Sequence, residues 1–163
     1  MDNRALDWQK EIYLNGFAGR SPIVPISFSR LEQEAKNKMT PRAFAYIAGG
    51  AGAEDTMQSN ATAFQKYRIV PRMLCNVAER DTAITLFGQR LPSPFLLSPI
   101  GVLELAHDEA DLAVAKAASA LRVPFIFSNQ ASFSMEACTA LMADSPRWFQ
   151  LYWSKSPDLV VSF

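Results

Sequence analysis

Three short apolar runs in the second half of this sequence begin 29 and 24 residues apart, at about positions 95, 124 and 148, and this spacing limits the fold more than any other feature. The runs are Phe95-Leu96-Leu97, Phe125-Ile126-Phe127 and Trp148-Phe149-Gln150-Leu151-Tyr152-Trp153. Their aromatic and β-branched residues favour strands. Strands separated by so many residues cannot be hairpin partners; crossover helices join them as parallel neighbours. The intervening segments supply such helices. Ala113, Ala117, Ala120 and Leu121 fall at i, i+4, i+7 and i+8, behind Asp108 and Glu109, whose charges suit a helix N-terminus. A second helix begins near Ser134, carries Glu136 in its first turn, and includes Ala137, Leu141 and Met142. Asp158 to Phe163 reads as the opening of a third.

The first half reads differently. Residues 1–28 are weakly patterned, with Pro22 and Pro25 keeping the chain extended before Ser27. Ser29 stands three residues before Glu32, a capping-box spacing that predicts a short helix through about Lys38. Thr40-Pro41 is a strong helix start, Phe44, Ile47 and Ala48 form an apolar stripe, and Gly49-Gly50 ends it. Residues 54–66 are a further helical candidate before the break at Pro71. Thr82 to Phe87, Gly88-Gln89-Arg90 and Leu91 predict a small hairpin.

These elements predict an α/β fold in which residues 1–94 form a helical segment with a hairpin and residues 95–163 form the first β/α units of a parallel sheet. Three parallel strands leave two open edges and too few partners for their faces. A barrel of eight β/α units needs about 250 residues, so the expectation is the N-terminal portion of a (β/α)8 barrel, with about three units present.

Sixteen Lys+Arg balance sixteen Asp+Glu. A zero net charge removes the electrostatic case for nucleic acid or an anionic membrane surface. No run approaches the roughly 20 apolar residues of a membrane span. Cys75 and Cys138 have neither the spacing nor the companions of a zinc site or disulfide framework, which suits a reducing cytoplasm.

In open α/β sheets and barrels, ligands sit at the C-terminal ends of the strands. Here those ends are Ser98-Pro99-Ile100-Gly101, Ser128-Asn129-Gln130 and Gln150-Leu151-Tyr152. Gly101 lets a flat ligand approach the main chain, and Ser128, Gln150 and Tyr152 can hydrogen-bond heteroatoms on a ring edge. The same residues also suit a plainer role, satisfying strand-end backbone groups and packing. Gly49-Gly50-Ala51-Gly52 follows a helix, has Asp55 where a dinucleotide pattern needs glycine, and lacks a following Lys-Ser or Lys-Thr; it reads as a helix end and turn. His107, the single histidine, stands beside Asp108 and Glu109 and reads as part of a helix start more than as a base; it has no second histidine for metal binding.

Tyr46-Ile47-Ala48-Gly49-Gly50, Val70-Pro71-Arg72-Met73-Leu74, Ser98-Pro99-Ile100-Gly101, Ala117-Ala118-Ser119 and Phe149-Gln150-Leu151-Tyr152 occur in the order and spacing of the FMN-dependent α-hydroxy-acid oxidase and dehydrogenase family. Across essentially its whole length the chain resembles that family. Glu11-Ile12-Tyr13, Pro71 to Leu74 and Glu79-Arg80-Asp81 look most like its lactate 2-monooxygenase branch. The resemblance implies a (β/α)8 barrel with FMN at its C-terminal mouth, a small 2-hydroxy acid and O2 as reactants, and a homo-oligomer completed by a C-terminal part. It implies main-chain contacts to the flavin edge from Pro99, Ile100 and Gly101, and contacts to the ring's polar atoms from Ser128 and Gln150. Tyr46 would bind the substrate carboxylate or hydroxyl, and Tyr152 would contact and polarise the substrate. The family's histidine base, substrate arginines, flavin-facing lysine and phosphate cradle match no residues here. Ser98 replaces a commoner alanine, and Asn129-Gln130 replaces aromatic or apolar residues.

Overall fold

A computed structural model describes residues 4–162. The chain divides into two compact units at the Ser59–Asn60 peptide, which lies within a helix.

The first unit contains α1 (Arg4–Phe17), α2 (Phe28–Lys38), α3 (Pro41–Ala48) and the start of α4 (Asp55–Ala63). Helix α1 corrects the expectation of a weakly patterned segment. Its signal is sparse: Tyr13 and Phe17, one turn apart, meet edge-to-face with centroids 4.9 Å apart, while Leu14 and Phe17 are exposed. Helix α2 starts at Phe28, with Ser27 as its N-cap, so the predicted Ser29–Glu32 capping box does not form. The hydroxyls of Ser27 and Ser29 hydrogen-bond each other at 2.8 Å, leaving neither to cap as the spacing suggests. Thr40 caps α3 as read: its Oγ1 accepts from Ala43 N–H at 3.2 Å, with Pro41 at the first helical position.

The second unit begins within α4, which runs into a 3-10 turn at Phe64–Lys66. Strands β1 (Ile84–Leu86) and β2 (Gln89–Leu91) pair antiparallel with Ile84 opposite Leu91. Phe87 and Gly88 both have positive φ, 49° and 78°, the signature of a type I′ turn, whose twist matches that of the strands. A 3-10 turn at Leu103–Leu105 precedes α5 (Ala110–Leu121), and β3 (Phe125–Ser128), α6 (Met135–Met142), β4 (Arg147–Gln150) and α7 (Pro157–Ser162) follow. β3 and β4 pair in parallel, Phe125 opposite Arg147 through Ser128 opposite Gln150.

Two expectations about this sheet need correction. The 95–97 run is not a full strand. Leu97 alone bridges to Phe125, donating to Pro124 O at 2.9 Å and accepting from Ile126 N–H at 3.1 Å. Pro92, Pro94 and Pro99 around it lack the N–H groups a longer ladder needs. The third run pairs only through Gln150, leaving Tyr152 and Trp153 beyond the ladder. Among the described residues the parallel sheet is two strands and one bridge, not a closed barrel.

The core lies between this sheet and its crossover helices. Ala115 and Ala118 of α5, Phe125 and Phe127 of β3, and Cys138 and Met142 of α6 are all buried, with Leu97, Leu112, Val114, Phe133 and Phe149 packed around them. Most of the predicted α5 stripe through Ala113, Ala117, Ala120 and Leu121 is turned away: Ala113 is half-buried, Ala117 and Ala120 are exposed and Leu121 is 62% exposed, whereas Asp111, Ala115 and Ala118 face inward. An alanine-rich helix offers little contrast between faces, and small side chains on either face allow close packing. On α6 the inward residues are Cys138 and Met142; Ala137 and Leu141 lie outside.

Burial pushes the Cys138 thiol above its ordinary value, and the Asp111 carboxylate adds to that rise, so the reactive thiolate is scarce there. Cys75 is exposed. With a thiol-reactive chromogen at pH 8, one thiol per chain, Cys75, should react within minutes. Cys138 should react only after denaturant is added. Two fast thiols in the folded chain would contradict this core.

Candidate functional site

Parallel pairing sends the chain out of neighbouring strands on the same side of the sheet. The turn after Leu97, the turn after β3 and the turn after β4 therefore meet, and hydrogen bonds record the meeting. Ser128 lies opposite Gln150 in register. Asn129 N–H donates to Gln150 O at 3.3 Å, and Val102 N–H donates to Gln130 O at 2.9 Å. These contacts bring together three of the predicted site residues, Gly101, Ser128 and Gln150.

Each has a local reason for its place. Ser128 ends β3 buried, its Oγ accepting from Gln130 N–H at 3.1 Å, which turns the chain sharply. Gln150 ends β4 half-buried. Val102, just after Gly101, adopts the left-handed conformation (φ 49°, ψ 40°) uncommon for a β-branched residue. A Cβ on Gly101 would lie 2.9 Å from Gln130 Cβ and 3.3 Å from Gln130 O. Gly101 is thus required by the close approach of two turns, a demand of the protein itself, alongside any room it leaves for a ligand. Pro99 is half-buried and Ile100 is 49% exposed.

Tyr152 follows two residues beyond β4 and is 54% exposed. Tyr46 lies on α3 of the first unit and is 64% exposed. His107 serves the α5 start: its Nδ1 accepts from Glu109 N–H at 3.1 Å. The expected carboxylate cap is not formed by Glu109, whose Oε2 instead accepts from Lys116 Nζ at 2.9 Å; that hydrogen bond holds the Glu109 carboxyl below its ordinary value. Gly49-Gly50 closes on itself: a Cβ on Gly49 would lie 2.7 Å from Ala45 O, and Gly50 N–H donates to Glu54 Oε1 at 2.9 Å. A carboxylate on that N–H is the opposite of a phosphate cradle.

Sequence reasoning passed over Asp111, whose wholly buried carboxylate accepts from Ser132 N–H at 2.7 Å and Phe133 N–H at 3.3 Å. Nothing in its spacing marks it; a charged residue in a first helical turn normally reads as solvated. Asn129 Oδ1, also at the strand ends, is buried without a hydrogen-bond partner among the described residues. An orphaned buried acceptor is costly unless something else meets it. The half-buried Gln150 amide and the Ser128 hydroxyl give this edge both donors and acceptors. Among the described residues, no group of His, Cys, Asp and Glu could hold a metal ion, and no helix is long and apolar enough to cross a membrane.

Comparison with known proteins gives the same direction. The profile of the family described as FMN-dependent dehydrogenase matches residues 35–163. An L-lactate oxidase of Lysinibacillus sphaericus (strain C3-41) is 37% identical over 152 residues, which is 93% of this chain and 39% of that protein. An FMN-dependent alpha-hydroxy acid dehydrogenase of Penicillium citrinum is 36% identical over 95% of this chain and 39% of its own length. Among solved structures, a mandelate oxidase mutant with a C4a-OH-FMN adduct superposes with a TM-score of 0.75 at 32% identity, covering 82% of this chain and 40% of that one. The chain spans about two fifths of the length of the relatives it matches.

Gly101→Ala should strain the two turns and lower stability by about 1–3 kcal/mol, read as a shift in the urea midpoint. Gln130→Gly in the same chain removes one of the two clashing Cβ atoms and should recover part of the loss. Additive losses in the double variant would contradict the packing described.

Proposed function

The chain belongs to the FMN-dependent dehydrogenase family, and from that premise we propose that it seats the flavin ring edge and one end of a small L-2-hydroxy acid. FMN, when bound, supplies the two-electron acceptor for oxidation of the substrate's hydroxyl-bearing carbon. The observation that carries this reading is the convergence of Gly101, Ser128 and Gln150 at adjacent strand ends. The Gln150 amide, half-buried at the end of β4, suits the carbonyls of a flavin's pyrimidine edge. Main chain from Pro99 to Gly101 runs along that edge, and Ser128 contributes its hydroxyl. Fixed donors on rigid elements need no reorganisation during reaction.

Tyr152 contacts the substrate and polarises its hydroxyl through its phenol; Tyr46 is assigned to the substrate carboxylate or hydroxyl by the family resemblance alone. No histidine or carboxylate stands among residues 98–101, 128–130 and 150–152, so the proton acceptor comes from elsewhere. The finer assignment is lactate 2-monooxygenase chemistry, in which lactate and O2 give acetate, CO2 and water. The sequence likeness to its branch at Pro71 to Leu74 and Glu79-Arg80-Asp81 supports that choice over lactate, glycolate or mandelate oxidase or dehydrogenase activity. A second reading, a non-catalytic segment working by complementation or oligomer contacts, draws on the two-stranded sheet, since open edges invite further strands.

Titrating the purified chain with FMN should quench flavin fluorescence saturably, and Gln150→Ala should weaken the dissociation constant by about tenfold. Flavin fluorescence unchanged by the chain contradicts the seat. If binding appears only after adding the remaining length of a relative, complementation is the better account. Products of lactate turnover then separate the finer readings: acetate with CO2 against pyruvate with peroxide.

A further inference from the structure

We propose that the Asp111 carboxylate is the positioning residue for both flavin-facing turns, locking them into one unit; this rests on the proposed seat at those same strand ends. Asp111 stands in the first turn of α5, and its side chain is completely buried. Among the described residues it has no ion-pair partner, and only one of its oxygens is used. Oδ2 accepts from the backbone N–H groups of Ser132 and Phe133, at 2.7 and 3.3 Å, while Oδ1 is buried without a partner. A carboxylate is costly to bury, and its removal from this position leaves two part-buried N–H donors without their acceptor.

What Asp111 grips is the turn after β3, and that turn in turn grips the one after Leu97. Ser132 Oγ accepts from Glu104 N–H at 3.1 Å, and Gln130 O accepts from Val102 N–H at 2.9 Å. Between these two bonds lies the Gly101–Gln130 approach, which leaves no slack for a Cβ. The run of contacts is therefore carboxylate, 130–133 turn, 101–104 turn. The left-handed Val102 is held at its centre, with Ile100 and Gly101 immediately before it. Ser128 and Asn129 are fixed at the other end of the gripped turn by β3 and by Gln150 O. One buried charge on a crossover helix thus sets the mutual placement of groups from two strand ends, without touching the ligand itself.

The test uses the full chain carrying Asp111→Ala, Asp111→Asn or Ser132→Ala, with amide hydrogen exchange and FMN titration as readouts. Asp111→Ala should speed exchange about tenfold or more at Ser132 and Phe133, and also at Val102 and Glu104, while the strand amides of Phe125 and Ile126 keep their protection. Asp111→Asn, which retains an acceptor oxygen, should recover much of that protection. Ser132→Ala should release Glu104 while Phe133 stays protected. FMN affinity should fall about tenfold in Asp111→Ala and recover in Asp111→Asn, with the resolved shoulders of the flavin's visible band lost and regained in parallel. Protection retained at Val102 and Glu104 in Asp111→Ala, or an equal loss at Phe125 and Ile126, would overturn the clamp. Loosened turns with undiminished FMN affinity would overturn its role toward the flavin. If Asp111→Ala proves unfolded by circular dichroism, the other two variants decide. A wild-type chain without FMN affinity counts against the proposed seat alone, and the exchange pattern still decides the clamp.

Discussion

The pairing of β3 with β4 is the constraint on which the second unit depends. Four consecutive residue pairs in parallel register place Ser128 beside Gln150, and a shift of one residue would turn Phe125 and Phe127 out of the core. The two phenylalanines lie on one face with their rings 4.4 Å apart, and Ala115, Ala118, Cys138 and Met142 cover them. Register and burial therefore fix each other. Because the strands are parallel, the side chains that end the ladder also end it together, and that is how an edge capable of meeting a flat ligand arises from a packing requirement.

The turns at this edge are built for closeness rather than freedom. Gly101 lies against Gln130, Val102 accepts a left-handed conformation, and Ser128 folds the next turn back through its own hydroxyl. Each is a small local cost in conformational freedom, sustained by hydrogen bonds that cross between turns. At the opposite end of the sheet Phe87, from the hairpin turn, meets Trp148 edge-to-face at 5.7 Å, so the hairpin belongs with the sheet rather than with the helices that precede it. In a family whose cofactor is FMN, a rigid strand-end edge is what a planar ring requires.

Much of this was readable from residue types alone, where a side chain acts on its own neighbourhood. Thr40-Pro41 and Ser134 start their helices as their chemistry dictates, and the predicted hairpin forms with its turn at Phe87-Gly88 rather than Gly88-Gln89-Arg90. The spacing of apolar runs gave the parallel connection. The failures share a cause: they depend on partners distant in sequence. Which face of α5 is buried could not be told from alanines; what decides it is the pair of phenylalanines on β3. The 95–97 run had strand-forming residues, but its flanking prolines left one bridge. Asp111 was invisible because its partners, Ser132 and Phe133, lie more than twenty residues away and are backbone groups. Ser29 looked like a cap, yet Ser27 competes for it locally.

We propose that three strand ends act together as one surface for a flavin. Backbone amide NMR shifts of the chain on adding FMN test it most directly. The largest changes should cluster jointly at 99–101, 128–130 and 150–152, with residues 4–38 nearly unmoved. Changes confined to a single one of those turns, or centred on α1 and α2, would contradict it.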